Sequence, residues 1–154
     1  MPYFKSVFMA TTINLGDKVV TMKHKDQANL PSGLCAVVSM GSYDYKLGGQ
    51  LVLHELKLII EFPPGYVIFL PSASITHSNL GVSDNEWRSS ITYYTAGGLF
   101  RWVAYGFKTE RQFRKEDPGE FERIKDKDTR EARWREAINL FSKDKELKED
   151  IRKL

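Results

Sequence analysis

Cysteine and histidine are both scarce in this chain of 154 residues, which limits the disulfides and metal sites that it can form. With Cys35 as the single cysteine, the chain can form neither an internal disulfide nor a zinc site built from several cysteines. Cys35 lies in the apolar run LCAVVSM, which predicts a buried structural thiol and fits a reducing, intracellular compartment. A histidine-based site has only three histidines to draw on.

The chain also lacks a long hydrophobic run and a patch of charge of one sign. No apolar stretch reaches the roughly 18 residues that suggest a membrane-spanning helix, and the start MPYFKSVFMATT is not typical of a signal peptide. The net charge of +3 is spread over interleaved basic and acidic residues, which is weak evidence for nucleic-acid binding. We therefore expect an intracellular globular protein without a membrane partner.

Composition changes sharply near residue 106. Before it the chain is rich in Val, Ile, Leu, aromatic residues and Thr; after it Lys, Arg, Glu and Asp dominate, and no glycine follows Gly119. This change predicts a β core over 1–105 and a helical tail over 106–154 that packs on the core. The predicted strands cover 11–24 (one or two strands), 34–40, 50–56, 57–62, 66–70, 74–80, 87–95 and 99–107. About eight short strands separated by turn sequences favour a barrel or a double-sheet jelly roll.

The tail contains one pattern of helical periodicity. Trp134, Ile138 and Phe141 recur at helical spacing and predict a helix from Asp128 to about Lys143 whose apolar stripe is buried against the core. Asp117-Pro118-Gly119 is typical of a helix start or of a turn between two helices. A partner-binding helix is the alternative interpretation of the stripe.

Two histidines and an aspartate have the spacing of a metal site. His24 and Asp26 are two positions apart, so on a strand both side chains point to the same face while Lys25 points away. His77, on a later predicted strand, can complete the set. Two imidazoles and one carboxylate on one face of a metal form the facial triad of non-haem Fe(II) oxygenases, which leaves positions open for other ligands.

An arginine and a serine extend this site. On the strand after His77, Arg88 and Ser90 share a face with Thr92 and Tyr94. A planar guanidinium binds a carboxylate through two hydrogen bonds, and a buried arginine requires an anionic partner. The far carboxylate of 2-oxoglutarate suits this pair, with its keto oxygen and near carboxylate on the iron.

Other residues near these positions have alternative roles. Asn29 either braces the metal-binding aspartate from outside or simply precedes a Leu-Pro turn. His54 is predicted to be a partly exposed strand residue, with a substrate contact as the alternative. Arg101 could bind the oxoacid instead of Arg88, but its position beside Trp102 favours a surface or helix-docking residue.

The motifs together resemble those of a known family. The segments HKDQANLP, GSYDYKLGGQLVLHELKLIIEFPPG, LPSASITHSN and WRSSITYYTAGGLFRW are similar to the Fe(II)/2-oxoglutarate dioxygenases, most closely the TET/JBP-type branch of fungal genomes with mobile elements. Within them, Gly48-Gly49-Gln50-Leu51 resembles the Gly-Gly-x-Leu motif that starts a strand in that superfamily, and Phe62-Pro63-Pro64-Gly65 resembles its turn before the fifth strand. The tail resembles the ends of the fungal proteins, and the likeness runs from about Thr11 to Leu147.

The resemblance implies both a fold and an activity. It implies a mainly β protein with a double-stranded β-helix (jelly-roll) core and a C-terminal helical tail. It implies Fe(II) held by His24, Asp26 and His77, and 2-oxoglutarate held by Arg88 with Ser90. It further implies oxidation of the methyl group of 5-methylcytosine or thymine in DNA, which requires flipping the base out of the duplex and, with DNA as substrate, a nuclear location.

Two departures from the family keep other functions open. The cysteine-rich DNA-binding module of the animal TET enzymes is absent from this sequence, and little precedes the first metal-binding strand. The alternatives are a jelly-roll dioxygenase acting on a protein or small molecule, and an inactive relative that keeps the ligands as a binding module.

Overall fold

The computed structural model of this protein describes residues 6–152. The chain divides into two compact units, one ending at Arg101 and the other beginning at Trp102. The first unit is mainly β, and the second is helical. The described residues form the strands β1 (Ala10–Asn14), β2 (Cys35–Ser42), β3 (Leu51–Leu53), β4 (Leu58–Ile60), β5 (Val67–Leu70), β6 (His77–Asn79) and β7 (Trp87–Tyr94), and the helices α1 (Gly97–Ala104), α2 (Glu110–Glu116), α3 (Pro118–Lys125), α4 (Lys127–Ile138) and α5 (Leu147–Arg152). The domain bounds at residues 105 and 106, and the packing of the tail on the core, stay predictions.

Two antiparallel sheets make up the first unit. The larger sheet has the strand order β1-β7-β2-β5, and the smaller has the order β4-β3-β6. In the larger sheet β1 lies at an edge and pairs with β7 along its whole length, from Ala10 opposite Tyr94 to Asn14 opposite Ser90. Most neighbours in these sheets are distant in sequence, so the pairing brings remote segments of the chain together.

The core of the first unit draws on both sheets. Its buried members come from β2, β3, β5 and the turn before β5: Cys35, Leu51, Leu53, Phe62 and Leu70. Partly buried side chains such as Ile60, Ile75 and Tyr94 pack against this cluster. Cys35 is 2% exposed, which confirms the predicted buried thiol.

Two adjacent glycines have a steric role ahead of β3. Gly49 has φ +72°, and a Cβ there would lie 2.4 Å from the ring of Tyr43; at Gly48 it would lie 2.7 Å from the Gly81 carbonyl oxygen. Tyr43 closes over this turn, and its hydroxyl group bonds to the Ser39 hydroxyl and the Phe62 carbonyl. Only glycine fits both positions, which is a physical reason for the Gly-Gly-x-Leu motif.

Several strand predictions need correction. The predicted strand over 11–24 ends at Asn14, and beyond it the chain is irregular apart from single bridges such as His24 with His77. His54 is partly exposed, as predicted, but lies in the turn that follows β3. The predicted strand over 99–107 is wrong, because helix α1 spans Gly97–Ala104. Phe100, Trp102 and Val103 in its LFRWVA run are residue types enriched in strands, so local composition favoured the wrong element.

The second unit is built from short capped helices around three aromatic rings. Thr109 and Gln112 form a reciprocal capping box at the start of α2. Asp117 caps α3, with Pro118 in the first turn, which confirms the predicted helix start. Tyr105 and Phe121 are buried and both contact the ring of Phe113, whose centroid lies 4.7 Å from that of Tyr105.

The predicted tail helix exists but differs in length and burial. Helix α4 ends at Ile138, so Phe141 lies beyond it and the three-residue stripe is not continuous. Trp134, Ile138 and Phe141 are 42%, 45% and 38% exposed, so the expected burial of these side chains is wrong. Charged residues occupy most of α4, which leaves no apolar face wide enough to bury. None of the helices in residues 6–152 has the length and apolar character needed to cross a membrane.

Candidate metal centre

His24 and His77 lie side by side because their backbones are paired. They form an isolated antiparallel bridge in which each residue donates its N–H to the other's carbonyl, at 3.0 and 2.9 Å. Directly opposed residues of an antiparallel pair place their side chains on the same face. The two imidazole centroids are accordingly 4.4 Å apart.

The same nitrogen of each imidazole is held by a backbone carbonyl. Nδ1 of His24 lies 2.7 Å from the Met22 oxygen, and Nδ1 of His77 lies 3.0 Å from the Ile75 oxygen. A carbonyl only accepts, so Nδ1 is the donor in each contact and Nε2 is the nitrogen left for another partner. Outer hydrogen bonds of this kind fix the tautomer and ring orientation of metal-binding histidines.

Asp26 presents one carboxylate oxygen to the histidines and the other to an asparagine. Its Oδ1 is 3.3 Å from His24 Nε2, while its Oδ2 accepts a hydrogen bond from Asn29 Nδ2 at 3.4 Å. Asn29 is itself held by a bond to the Ser72 hydroxyl at 3.1 Å. The Asp26 backbone N–H donates to the Ser72 carbonyl. Ser72 therefore holds the backbone of Asp26 directly and its carboxylate through Asn29.

These three residues form a cluster that could hold a metal ion. One ligand atom from each of His24, Asp26 and His77 lies within 4.8 Å of the others. His77 is buried, and the other two are partly buried at the wall of a cavity. The sequence-predicted residues are therefore brought together, although only His77 lies on a regular strand.

The cluster opens into a cavity of about 370 Å³, a size typical of small-molecule sites. Alternate residues of β7, which the two-residue period places on one face, all line it: Arg88, Ser90, Thr92 and Tyr94. Neutral polar side chains dominate the rest of the wall. Among the described lining residues, Asp26 is the one carboxylic acid and Arg88 the one guanidinium, and the other ionisable groups are His24, His77 and the Tyr94 phenol.

Arg88 is a buried cation without an acidic partner among the described residues. It is 3% exposed, and one terminal nitrogen donates to the Val19 carbonyl at 3.3 Å. Its Nε is buried without any hydrogen-bond partner in the part of the chain that the structure describes. A buried guanidinium left in this state is costly, so the arrangement calls for an anion in the cavity.

Ser90 lies beside this cation and has a partner of its own. Its hydroxyl oxygen accepts a hydrogen bond from Asn14 Nδ2 at 3.1 Å, across the register pair of β1 and β7. Ser90 is 4% exposed. The predicted Arg88 and Ser90 pair therefore lines the same cavity as the three potential metal ligands.

Two polar residues near the site carry no predicted role. Asn79, on the same face as His77, accepts from the Thr21 N–H at 2.7 Å and donates to the Val19 carbonyl at 3.0 Å. It thus holds the irregular segment that leads to His24 and also positions the carbonyl that Arg88 contacts. Asn14 was missed because its partner, Ser90, is far away in sequence; only the register of β1 on β7 reveals the contact.

Placement excludes three other residues from the centre. Cys35 belongs neither to the cluster nor to the cavity lining, and burial raises the pKa of its thiol. His54 bonds to the Ser78 hydroxyl at 3.0 Å and is not part of the cluster. Arg101 is exposed and does not line the cavity, which removes it as the alternative anion-binding arginine.

A second polar network flanks the centre on its exposed side. Glu55 accepts hydrogen bonds from the Thr76 N–H and hydroxyl, and its Oε1 is 3.2 Å from Lys25 Nζ. The pKa of Glu55 is lowered to about 2, mainly by the hydrogen bond from the Thr76 hydroxyl and also by Lys25. Because Lys25 lies between two cluster residues and Thr76 precedes the third, Glu55 links the segments that carry them.

Comparison with known proteins gives little beyond this geometry. No protein-family model matches the chain, and no curated protein matches it. A solved structure of NgTET1 in complex with 5mC DNA is similar to part of it, with 22% sequence identity and a TM-score of 0.44. That match covers 49% of this chain and 27% of the NgTET1 chain. A likeness of this extent assigns neither a family nor an activity, so the function has to be argued from the site itself.

Proposed function

We propose that this protein is an Fe(II)- and 2-oxoglutarate-dependent dioxygenase. One observation carries the proposal: the His24, Asp26 and His77 cluster opens into the same cavity as Arg88, a buried cation with an unsatisfied Nε. A metal cluster alone fits many functions, and a buried arginine alone fits many anions. Their combination in one cavity fits an iron enzyme whose co-substrate is an anionic metal chelator.

The three potential ligands suit Fe(II). Two imidazole nitrogens and one carboxylate oxygen from one side form the donor set of the facial triad, which leaves positions open for small ligands. Cys35 adds no soft sulfur ligand to this set, since it lies in neither the cluster nor the cavity lining. When bound, iron would let dioxygen act as the oxidant: one oxygen atom would hydroxylate a C–H bond of the substrate, and the other would enter succinate as 2-oxoglutarate is decarboxylated with loss of carbon dioxide.

The charges of the cavity favour a dianion. A divalent ion, the Asp26 carboxylate and the Arg88 guanidinium bring formal charges of about +2, −1 and +1, leaving a net excess of about +2. A dicarboxylate such as 2-oxoglutarate would neutralise this excess, and a monocarboxylate would neutralise half of it. Arg88 would meet the carboxylate farther from the metal, because a guanidinium binds a carboxylate through parallel hydrogen bonds.

The residues of the chain itself would orient these groups. The Met22 and Ile75 carbonyls hold both imidazole rings through Nδ1, which would leave each Nε2 for the ion, and Asn29 holds Asp26 Oδ2, which would leave Oδ1 for it. Locked side chains of this kind lose little entropy on binding and limit the ion to one position. Catalysis would then depend on how the wall of the cavity places a substrate C–H bond beside the open positions.

For the fold, we propose the double-stranded β-helix, with a core over 1–105 and a helical tail over 106–154. The strand order supports it: the Thr21 to His24 segment is hydrogen-bonded alongside β6, which would extend the smaller sheet to a fourth, irregular strand. Two four-stranded sheets around a shared core are the architecture of a jelly roll.

For the substrate, we propose a methylated pyrimidine in DNA, 5-methylcytosine or thymine, acted on in the nucleus. This part rests on the resemblance of the sequence motifs to the TET/JBP-type enzymes. Because the reaction needs the methyl group at the metal, the base would have to leave the duplex and enter the cavity.

Anaerobic loading of the protein with Fe(II), followed by addition of 2-oxoglutarate, oxygen and a duplex containing 5-methylcytosine, tests the proposal. Mass spectrometry should find oxidised bases and succinate, and neither should form with the His24→Ala variant. Succinate without oxidised bases would keep the dioxygenase and remove the DNA substrate. Absence of succinate with tight metal binding would indicate an inactive binding module.

A further inference from the structure

Asn14 lines the same cavity as the potential metal ligands and Arg88, and its side chain is hydrogen-bonded to Ser90. It is the last residue of β1, and it lies directly opposite Ser90 in the register of the larger sheet. Its Nδ2 donates to the Ser90 hydroxyl oxygen at 3.1 Å, and both residues line the cavity.

The direction of this hydrogen bond determines what Ser90 can do. A serine hydroxyl has one proton to donate and two lone pairs to accept with. Because the Asn14 amide occupies a lone pair, the Ser90 proton is free to be donated elsewhere. Ser90 is 4% exposed and lines the cavity, so the cavity is where an acceptor for that proton can sit.

Two groups of this region are therefore donors to the cavity. Arg88 offers Nε, which has no partner among the described residues, and Ser90 offers its hydroxyl proton two positions along the same strand. Two donors of this type suit a carboxylate and suit a cation poorly. An unbraced Ser90 hydroxyl could turn away from the cavity, and one donor to the anion would be lost.

We propose that Asn14 is a positioning residue for the 2-oxo acid: it holds the Ser90 hydroxyl as a donor to the carboxylate that Arg88 binds. The inference rests on the proposed function, since it takes the anion to be the dicarboxylate co-substrate. It adds a residue on β1 that acts only through Ser90. Asn14 thus orients Ser90 for the anion in the same way that Asn29 orients Asp26 for the metal.

Calorimetric titration of the Mn(II)-loaded protein with 2-oxoglutarate, without oxygen, tests the proposal independently of turnover. Asn14→Ala should weaken oxoacid binding roughly 3- to 10-fold, the usual effect of losing one hydrogen bond. Mn(II) affinity should stay at the wild-type value. Asn29→Ala is the matched control, and it should weaken Mn(II) binding instead.

A double-mutant cycle separates positioning from general loosening of the strand. In a Ser90→Ala background, Asn14→Ala should cause no further loss of oxoacid affinity. Asn14→Asp, the variant nearest in shape, should bind the oxoacid more weakly than Asn14→Ala, because its carboxylate accepts the Ser90 proton and repels the dianion. It also keeps the test valid if the alanine variant does not fold.

The outcomes distinguish this inference from the function on which it rests. Wild-type protein that binds Mn(II) but no 2-oxoglutarate would overturn both. Wild-type protein that binds the oxoacid, with an equal loss from Asn14→Ala in the presence and absence of Ser90, would overturn the role of Asn14 alone. An unchanged affinity in Asn14→Ala would do the same.

Discussion

Each of the two units of this chain is stabilised by its own internal contacts, and these differ in range between the units. In the first unit, β1 pairs with β7 and His24 with His77, so backbone hydrogen bonds join segments that lie far apart in sequence. In the second unit, many contacts are local: a capping box over Thr109 to Gln112, caps at Asp117 and Asp126, and ion pairs three or four positions apart. The candidate site therefore lies where distant segments pair, whereas caps and short-range ion pairs between near neighbours in sequence stabilise the helices.

The difference explains where chemistry is concentrated. A metal centre needs ligands fixed within a few ångströms, and a bridge such as His24 with His77 supplies that fixing through the backbone itself. The short helices of the second unit have exposed polar faces and no cluster of metal-binding type among the described residues. Substitutions in the two units should accordingly separate into effects on binding and effects on stability.

The largest expected effect is loss of the metal from the first unit. His24→Ala removes one of the three proposed ligands, so we expect metal affinity to fall by more than about 100-fold, beyond the 10- to 100-fold typical of outer-shell changes. His54→Ala is the matched control, because it removes a histidine outside the cluster. Calorimetry with Mn(II) measures both, and circular dichroism checks the fold. Equal losses in the two variants would contradict the assigned centre.

Next in size is the loss of the cation that faces the cavity. Arg88→Ala should weaken 2-oxoglutarate binding to the Mn(II)-loaded protein by about 2–5 kcal/mol, because a desolvated carboxylate would lose its charge partner. Arg101→Ala, which removes an exposed arginine outside the cavity, should leave that affinity nearly unchanged. An unaffected Arg88→Ala variant would sink the assignment of this arginine to the co-substrate.

In the second unit the largest expected effect is on stability. Phe121 is 2% exposed and contacts the rings of Tyr105 and Phe113, so Phe121→Ala should cost about 3–5 kcal/mol of unfolding free energy. Trp134 is 42% exposed, and Trp134→Ala should cost about 1 kcal/mol or less. Thermal melts followed at 222 nm compare the two. A larger loss from Trp134→Ala would instead support the buried stripe that the sequence predicted.

The face that β7 turns to the cavity could be predicted from the sequence, but the residue that braces it could not. Alternation along a strand depends on local geometry alone, so the shared face of Arg88, Ser90, Thr92 and Tyr94 could be predicted without knowing the fold. The Asn14 contact with Ser90 could not, because it depends on the register of an edge strand formed by distant residues.

The errors in the helical region have a different cause. Trp134 and Phe141 have helical spacing, but the helix ends at Ile138, between them. The aromatic residues that are buried, Tyr105 and Phe121, come from different segments, and their meeting depends on the turns that connect the helices. Periodicity identifies an apolar helix face but not the segment that packs against it. The predicted burial of Trp134 and Phe141 is wrong for this reason.

A smaller effect should come from the cap between α2 and α3. Asp117 Oδ1 accepts the Glu120 N–H at 3.0 Å, and Asp117→Ala should cost about 1 kcal/mol of unfolding free energy. Asp117→Asn keeps an acceptor at the same position and should cost less, since asparagine is also a good cap. Urea denaturation of both variants gives the comparison. Equal costs would mean that the negative charge near the helix start, rather than the hydrogen bond, provides the stabilisation.

The smallest expected effect concerns the exposed network beside the metal centre, and it should depend on pH. Glu55 has its pKa lowered to about 2, first by the Thr76 hydroxyl, from an ordinary value of 4.5. A lowered folded-state pKa stabilises the protein above the ordinary value, and this stabilisation is lost as the pH falls from about 4.5 to about 2. Wild type should therefore exceed Glu55→Gln in melting temperature near pH 7, and the difference should shrink through that acidic range. Because Glu55 is exposed, the difference should be small and should decrease in high salt. A difference that grows on acidification would show that the carboxylate is not held by Thr76 and Lys25.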